Sequence, residues 1–293
     1  MLFLEHAAEQ FAHPVPEHCQ RYLLIDAAAT EDIDVQAALR WSGPAIDVLT
    51  LLPVNWRDTA SPVLLGAPAV AFTNAQSLAW KRFTEQWRYG NALTLVESSL
   101  TLRALAQALR ERMDVALDGG LTMMLRLQDN RVLSSLLEVL RPDQVQQMLG
   151  IAQRWVFASR NGEALVASDP MARGSALDAP SHVHVPLTLS QDQETRLLRL
   201  SEADTVIGIL LANQNDQLMA LLPPEQHAQV TQQLQAADEL HIEQPPDRIS
   251  YCATALALGP DFHSQPPWQE VMQGVRRGDK RFGEVLEEMA LQP

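Results

Sequence analysis

The stretch at residues 121–140, LTMMLRLQDN RVLSSLLEVL, changes its hydrophobic period halfway and restricts the local fold more than any other segment. Its first seven residues are mostly apolar, which predicts a strand buried on both faces. After Asp129 the apolar residues follow the spacing of one helical face, at Val132, Leu133, Leu136, Leu137 and Leu140. We therefore predict a strand, a charged corner and a helix, with Pro142 ending that helix and opening the next.

Three charged side chains, Arg126, Asp129 and Arg131, fall at this corner. Asp129 is placed to cap the helix, because a carboxylate there accepts unpaired amide hydrogens and lies at the positive end of the helix dipole. An Asp between two Arg residues also predicts bidentate ion pairs. The corner is then either a structural cap with its ion pair or a site that faces a partner or ligand.

Ahead of the corner, short apolar runs alternate with helical periods, which predicts an α/β domain at residues 1–160 with a mixed, largely buried sheet and flanking helices. The predicted strands lie at residues 22–25, 46–52, 62–65, 92–96 and 155–158. The predicted helices lie at residues 2–12, 30–41, 74–89, 101–113 and 142–149. Ser99 is the candidate cap of the helix at residues 101–113.

Residues 161–186 change character, with a hairpin signal at Asn161-Gly162 and then scattered Pro and Gly in a polar stretch. We predict that this segment is a linker. From residue 187 helical periods dominate and proline pairs punctuate them, which predicts a smaller all-α lobe at residues 187–293. Its predicted helices lie at residues 192–201, 203–213, 225–240, 247–258, 268–277 and 279–289.

The charge balance of the chain narrows the classes of partner. The formal net charge is −14, which argues against a nucleic-acid binder and against insertion into or binding of an anionic membrane surface. Residues 187–293 carry 16 acidic and 7 basic residues, so this lobe has either a solvated helical surface or a field that attracts a basic partner. Two distant cysteines, no basic N-terminal leader and no long apolar run predict a cytoplasmic protein.

Sequence motifs for catalysis are missing. The chain has no glycine-rich phosphate loop, no Gly-x-Ser-x-Gly elbow and no His-Glu-x-x-His helix. His182 and His184 lack a clear third ligand, which a metal site needs. In Glu17-His18-Cys19 the neighbouring His18 does not make Cys19 a nucleophile, because a catalytic thiol needs a base brought to it by the fold rather than by the next residue. We predict no catalytic residue, no metal site and no cofactor.

Two tryptophans, Trp56 and Trp268, lie in turn-rich contexts, and Trp268 follows Pro266-Pro267. Large aromatic side chains in such places are candidate anchors for a partner. Each tryptophan is either such an anchor or a side chain that packs beneath its own loop.

The corner also carries a family resemblance. The run Arg126-Leu127-Gln128-Asp129-Asn130-Arg131-Val132-Leu133 resembles the Arg-aromatic-x-Asp-Pro-Arg-Val-Leu motif of the type VI secretion effector adaptors, the Tap or TEC chaperones. Residues 21–27, RYLLIDA, are similar to that family's opening strand, and Arg154-Trp155-Val156 with Asn161-Gly162 is similar to its closing strand. Leu127 stands in place of the family's aromatic residue, and Asn130 in place of its proline.

The resemblance implies a non-enzymatic adaptor or chaperone in the bacterial cytoplasm. Such a protein binds a secreted toxin effector and promotes its loading onto the VgrG spike. The α/β domain would then be the shared scaffold, and the helical lobe would determine which cargo is bound.

Two other functions stay open. The first is an enzyme whose site lies at the strand ends and uses Asp26, Arg126, Asp129 and Arg131, since acids at the ends of strands are frequent in α/β active sites. The second is a structural subunit of a secretion assembly.

Overall fold

The computed structural model describes most of the 293-residue chain, namely residues 15, 17–26, 48–52, 62–66, 92–167 and 186–290. Two compact units divide the chain, Met1–Arg199 and Leu200–Pro293. Sheets and helices build the first unit, whereas the described secondary structure of the second is helical. The predicted combination of a mixed α/β part and a helical C-terminal part is confirmed.

The described residues of the first unit form β1 Gln20–Ile25, β2 Val48–Thr50, β3 Val63–Gly66, β4 Leu93–Ser98, β5 Asp114–Leu117, β6 Thr122–Met124, β7 Arg154–Ala158, β8 Ala164–Ala167 and β9 Leu187–Leu189. Six of these strands make an antiparallel sheet in the order β2-β3-β1-β4-β7-β8. In a smaller sheet, β5 pairs antiparallel with β6 and parallel with β9. Strands β1, β4 and β7 are almost entirely buried, as the apolar runs predicted.

Three helices, α1 Leu102–Met113, α2 Asn130–Val139 and α3 Pro142–Leu149, share a hydrophobic core with the large sheet. The sheet contributes Tyr22, Leu24, Val96, Trp155 and Phe157, and the helices contribute Leu105, Leu109, Leu133, Leu136 and Met148. Burial of each large apolar side chain contributes about 1.5–3 kcal/mol. The Trp155 indole is fully buried and donates to the carbonyl oxygen of Leu149 over 2.9 Å, so its polar atom is satisfied as well.

The doubly buried strand predicted at residues 121–127 is wrong in length and in burial. Strand β6 covers only three residues at the edge of the small sheet, and the Leu121 side chain is 70% exposed. A tight turn with Gly120 at φ 76° folds the chain back on β5, and among the described residues β6 pairs with β5 alone. Leu125 and Leu127 are the members of this run that become fully buried.

Of the other local predictions in the first unit, the helix at residues 101–113 and the hairpin at Asn161-Gly162 are confirmed, and the helix cap at Ser99 is wrong. The helix predicted at residues 101–113 is α1, but Thr101 caps it by accepting from the Ala104 amide over 3.4 Å. The predicted cap at Ser99 is wrong because the Ser99 hydroxyl accepts from the Gln153 side-chain amide. The hairpin predicted at Asn161-Gly162 is confirmed and joins β7 to β8, with Gly162 at φ 78°.

The boundaries of the compact units differ from the predicted domain limits at residues 160 and 187. Strand β8, within the predicted linker, pairs with β7 in the large sheet. Strand β9 and the start of the next helix, including Leu197, belong to the core of the first unit, which ends at Arg199. Sequence analysis did not predict strand β9, because its three residues are too few to show the period of two that marks a strand.

The remaining helices are α4 Gln191–Ala212, α5 Asp216–Met219, α6 Pro223–Glu239, α7 Pro245–Leu258, α8 Trp268–Arg276 and α9 Phe282–Ala290. Helix α4 crosses the boundary between the units and replaces the two helices predicted at residues 192–201 and 203–213. Prolines occupy the first positions of α6 and α7, where a missing amide hydrogen costs no hydrogen bond. The helices predicted at residues 2–12, 30–41 and 74–89 lie outside the described residues.

An arginine joins three helices within the second unit. The buried Arg248 on α7 donates to Glu202 on α4 over 2.9 Å and to Asp238 on α6 over 2.7 Å. It also donates to the carbonyl oxygen of Ile242. These contacts pair and hydrogen-bond the buried guanidinium and connect the three helices.

Candidate functional site

Asp129 holds the corner in the way that the sequence predicted for a cap. Its Oδ1 accepts from the backbone amide of Arg131 over 3.0 Å at the start of α2. The same carboxylate also accepts from Arg131 Nε over 3.0 Å and from its terminal nitrogen over 2.8 Å. The carboxylate is therefore a helix cap and one half of a bidentate ion pair.

Arg126 pairs with a different acid from the one predicted. Its terminal nitrogen donates to Asp26 Oδ2 over 2.7 Å, and Asp26 directly follows β1. The Asp26 side chain is 1% exposed and that of Arg126 is 44% exposed. The predicted bidentate pairing of Asp129 is confirmed with Arg131, whereas Arg126 pairs with the separate buried carboxylate of Asp26.

Asn130 connects the corner to the large sheet, and sequence analysis missed this role. Its side chain accepts from the Thr94 hydroxyl over 2.7 Å and donates to the carbonyl oxygen of Leu93 over 3.0 Å. Asn130 and Thr94 are both fully buried. The first residue of α2 is therefore fixed to the start of β4 by two hydrogen bonds that a proline at this position could not make.

A second charged group lies at the opposite ends of β1 and β4. Arg21, Glu97 and Arg154 are direct register partners across β1, β4 and β7, and we call them the Glu97 row. Glu97 Oε1 lies 2.7 Å from Arg21 Nε, and Glu97 Oε2 lies 4.0 Å from Arg154. Arg21 and Glu97 are each only 4% exposed. Sequence analysis did not single out Glu97, although an acid within an apolar strand is a signal for a buried ion pair.

A pair of buried amides, Gln144 and Gln193, connects the helices that follow the corner with the small sheet. Gln193 donates to Gln144 over 2.7 Å and to the carbonyl oxygen of Val139 over 3.1 Å. Gln144 donates to the carbonyl oxygen of Thr188 over 2.9 Å and accepts from the backbone amide of Arg141 over 3.0 Å. The end of α2, the start of α3, β9 and the start of α4 thus share one polar network.

Trp268 lies in an aromatic cluster of the second unit. The indole is partly buried and meets Phe262 edge-on with ring centroids 5.0 Å apart, and it stacks on Phe282 at 6.3 Å. Tyr251 contacts the same two phenylalanines and forms a 2.8 Å hydrogen bond with His263 Nδ1. Trp268 therefore packs beneath its loop while part of its surface stays accessible, and Trp56 lies outside the described residues.

The His263 position makes the stability of the second unit pH-dependent. Burial, and next the nearby Arg276, lower the pKa of His263 below its ordinary value of 6.5, and Asp261 and Glu239 oppose this shift. The unfolded chain then takes up a proton at a higher pH than the folded chain. The contribution of His263 to the free energy of unfolding is therefore complete above pH 6.5 and is lost as the pH falls below that value.

We therefore predict that His263→Asn, which retains an acceptor for the Tyr251 hydroxyl, reduces the loss of stability between pH 7 and pH 5. The measurement is urea unfolding at both pH values. The matched control is His241→Asn, on an exposed side chain. The same pH dependence in the wild-type protein and His263→Asn would contradict the prediction.

The cap at Asp129 gives a second prediction. Asp129→Ala is expected to destabilise the first unit by about 1–2 kcal/mol, because the first turn of α2 loses its acceptor. Asp129→Asn, which retains an acceptor, should lose less. Urea unfolding of both variants measures this difference. Asp143→Ala, which removes an exposed carboxylate paired with the exposed Arg141, is the control, and an equal loss there would contradict the capping role.

The described residues present neither an activated thiol nor a cluster of metal ligands. Burial, and next Glu97, raise the pKa of the Cys19 thiol, which keeps it protonated and poorly nucleophilic. Within the described ranges, no group of three His, Cys, Asp or Glu side chains is placed to hold a metal ion. His182 and His184 lie outside those ranges.

Together, the fold and the corner define a mixed α/β scaffold whose charged side chains tie its central strands to its helices. Residues 21–147 match the model of a domain of unknown function, DUF4123. The matched segment begins at Arg21 on β1, includes the corner and ends within α3. No curated protein and no solved structure matches the chain. In the parts that the structure describes, no helix combines the length and apolar character needed to span a membrane.

Proposed function

We propose that this protein is a non-enzymatic adaptor that binds a type VI secretion effector and promotes its loading onto the VgrG spike. One observation carries the proposal: the segments that resemble the adaptor family interact with one another in the fold. Arg126 of the corner pairs with Asp26 at the end of the opening strand, and Arg21 and Arg154, from the opening and closing strands, both lie against Glu97 on the strand between them. The match at residues 21–147 covers the opening strand and the corner.

The state of the acidic groups at the strand ends supports binding rather than catalysis. The Asp129 carboxylate already accepts three hydrogen bonds from Arg131, and Asp26 is buried against Arg126. A general base needs a lone pair within reach of the substrate proton. These two carboxylates instead stabilise the scaffold, and the groups that reach the surface at the corner are the guanidinium groups of Arg126 and Arg131.

In the proposed mechanism the adaptor acts by burying surface against its partners and makes or breaks no covalent bond. The first unit serves as a rigid scaffold, and the half-exposed guanidinium groups of Arg126 and Arg131 contact a partner. The acidic second unit holds a segment of the effector, which is released when the complex docks on the spike. A guanidinium that is already oriented by a buried acid loses little freedom on binding, which favours such a contact.

Deletion of the gene tests the proposal against both alternatives. The adaptor function predicts that one effector disappears from the secreted fraction while other effectors of the same secretion system are still exported. Loss of all export would indicate a structural subunit, and unchanged export of every effector would contradict the proposal. A rise in melting temperature with nucleotides or divalent metal ions would favour the enzyme alternative.

Complementation of the deletion strain with point variants distinguishes the loss of a partner contact from a folding defect. Arg126→Lys keeps a cation beside the buried Asp26, so we expect the fold to survive while planar guanidinium contacts to a partner are lost. Arg103→Lys, on α1, is the matched control. Normal export with Arg126→Lys would assign the Arg126 side chain to the scaffold alone.

A further inference from the structure

The end of α5 and the loop that leads from it to α6 present two apolar side chains to solvent. Met219 is 57% exposed and Leu222 is 51% exposed. The exposed acids Asp216 and Glu225 lie three residues to either side of them in sequence. We call these four residues the acidic apolar surface.

The frame beneath this surface is fixed. Asn215 Oδ1 accepts from the Leu218 amide over 2.9 Å, and Glu225 Oε2 accepts from the Leu222 amide over 2.9 Å. The buried Gln226 side chain donates to the carbonyl oxygens of Leu218 and Leu221. Leu218 itself is fully buried in a core of the second unit. The loop therefore holds Met219 and Leu222 outward in a defined geometry, which lowers the entropy that a binding partner must overcome.

The surrounding charge specifies the partner. The second unit, residues 200–293, contains fourteen acidic and five basic residues, and the basic ones other than Arg248 all lie at residues 276–281. Arg248 is buried between Glu202 and Asp238 and so presents almost no positive charge to solvent. A second copy of this unit, a nucleic acid or an anionic membrane would be repelled, whereas a basic polypeptide would be attracted.

We propose that the acidic apolar surface binds a polypeptide segment that carries apolar side chains flanked by Lys or Arg. Met219 and Leu222 supply the apolar contact, and the acids on both sides select the basic flanks. A flexible Met side chain adapts to different apolar partners. The assignment deepens the proposed function, on which its biological meaning rests, by naming the chemistry of the bound segment.

The test uses the full chain and a library of random 16-residue peptides displayed on phage. Selection on the wild-type protein is combined with counter-selection on the double variant Met219→Ser/Leu222→Ser. The expected result is enrichment of peptides rich in Lys or Arg and in Leu, Met or Phe. Failure to enrich peptides that discriminate between the two proteins, or enrichment of acidic or uncharged ones, would overturn the proposal.

Affinities of the selected peptides then identify the contacts. We expect the double variant to weaken binding at least about tenfold. Asp216→Asn/Glu225→Gln, which keeps an acceptor for the Leu222 amide, should weaken binding most at low salt. The control is Leu121→Ser, since Leu121 is a comparably exposed leucine in the first unit. Equal affinity for the wild-type protein and both double variants, with unchanged circular dichroism, would overturn the proposal.

This experiment requires neither an effector nor a spike, so its result is independent of the secretion test. Sedimentation of the peptide-free protein gives a second criterion. Self-association that the double variant abolishes would show that a second copy occupies the surface, and it would overturn the assignment to a basic segment.

Discussion

Glu97→Ala is expected to lower the free energy of unfolding of the first unit by about 3–5 kcal/mol, the range measured when one member of a buried ion pair is removed. The variant takes away the carboxylate that lies 2.7 Å from Arg21 and 4.0 Å from Arg154. Positive charge in the Glu97 row would then lose its main compensation within three neighbouring strands. Urea unfolding followed by circular dichroism measures the loss.

Three further variants show whether the loss of stability in Glu97→Ala comes from the buried ion pair. Glu97→Gln keeps the shape and some hydrogen bonding, so it should lose less than Glu97→Ala. Arg21→Met/Glu97→Leu removes the close Arg21–Glu97 pair and leaves only Arg154 charged in the row, so it should recover part of the stability. Glu288→Ala, at an exposed pair with Lys280, should change stability by less than about 1 kcal/mol. Similar losses in Glu97→Ala and Glu288→Ala would contradict the buried row.

Gln193→Ala is expected to destabilise the first unit by about 2–4 kcal/mol, because several buried groups lose a hydrogen-bond partner together. The carbonyl oxygen of Val139 and the side chain of Gln144 lose their contacts with the Gln193 amide. The backbone amide of Ser190 also loses its acceptor, Gln193 Oε1, at 3.1 Å. Hydrogen exchange should show the loss at α3 and β9 first, since the network joins these elements.

The neighbouring Gln191 is the matched control for this network. It lies in the same first turn of α4, but its side chain is exposed. Gln191→Ala should therefore leave stability within about 0.5 kcal/mol of the wild-type value. An effect of Gln193→Ala no larger than that of Gln191→Ala would show that the buried amide pair contributes little.

The elements that sequence analysis predicted well depend on local signals. Helix α2 was predicted from the apolar spacing after Asp129 and from the cap itself, and both lie within one stretch of twelve residues, 129–140. The hairpin at Asn161-Gly162 likewise depends on adjacent residues. The length and burial of edge strand β6 were predicted wrongly, because an apolar run does not reveal how many neighbouring strands will cover it.

The Asp129–Arg131 pair was predictable because the two residues are near neighbours in sequence, whereas the ion pairs of Arg126 and Glu97 were not. Arg126 and Asp26 are 100 positions apart, and the end of β1 must meet the corner before they can pair. Glu97 meets Arg21 and Arg154 only through the antiparallel register of three strands. Single-sequence patterns report local periods and caps, whereas such pairs depend on the tertiary arrangement.

The adaptor proposal is tested most directly by affinity capture of the tagged protein from the organism that encodes it, with bound proteins identified by mass spectrometry. We expect a VgrG spike protein and a large toxin-like protein to be recovered together, in amounts comparable to the tagged chain. The capture should be repeated in a strain that lacks the toxin. In that strain the proteins recovered with the tagged chain and the spike should contain no toxin domains. Recovery of neither protein, from cells shown to express both, would contradict the proposed function.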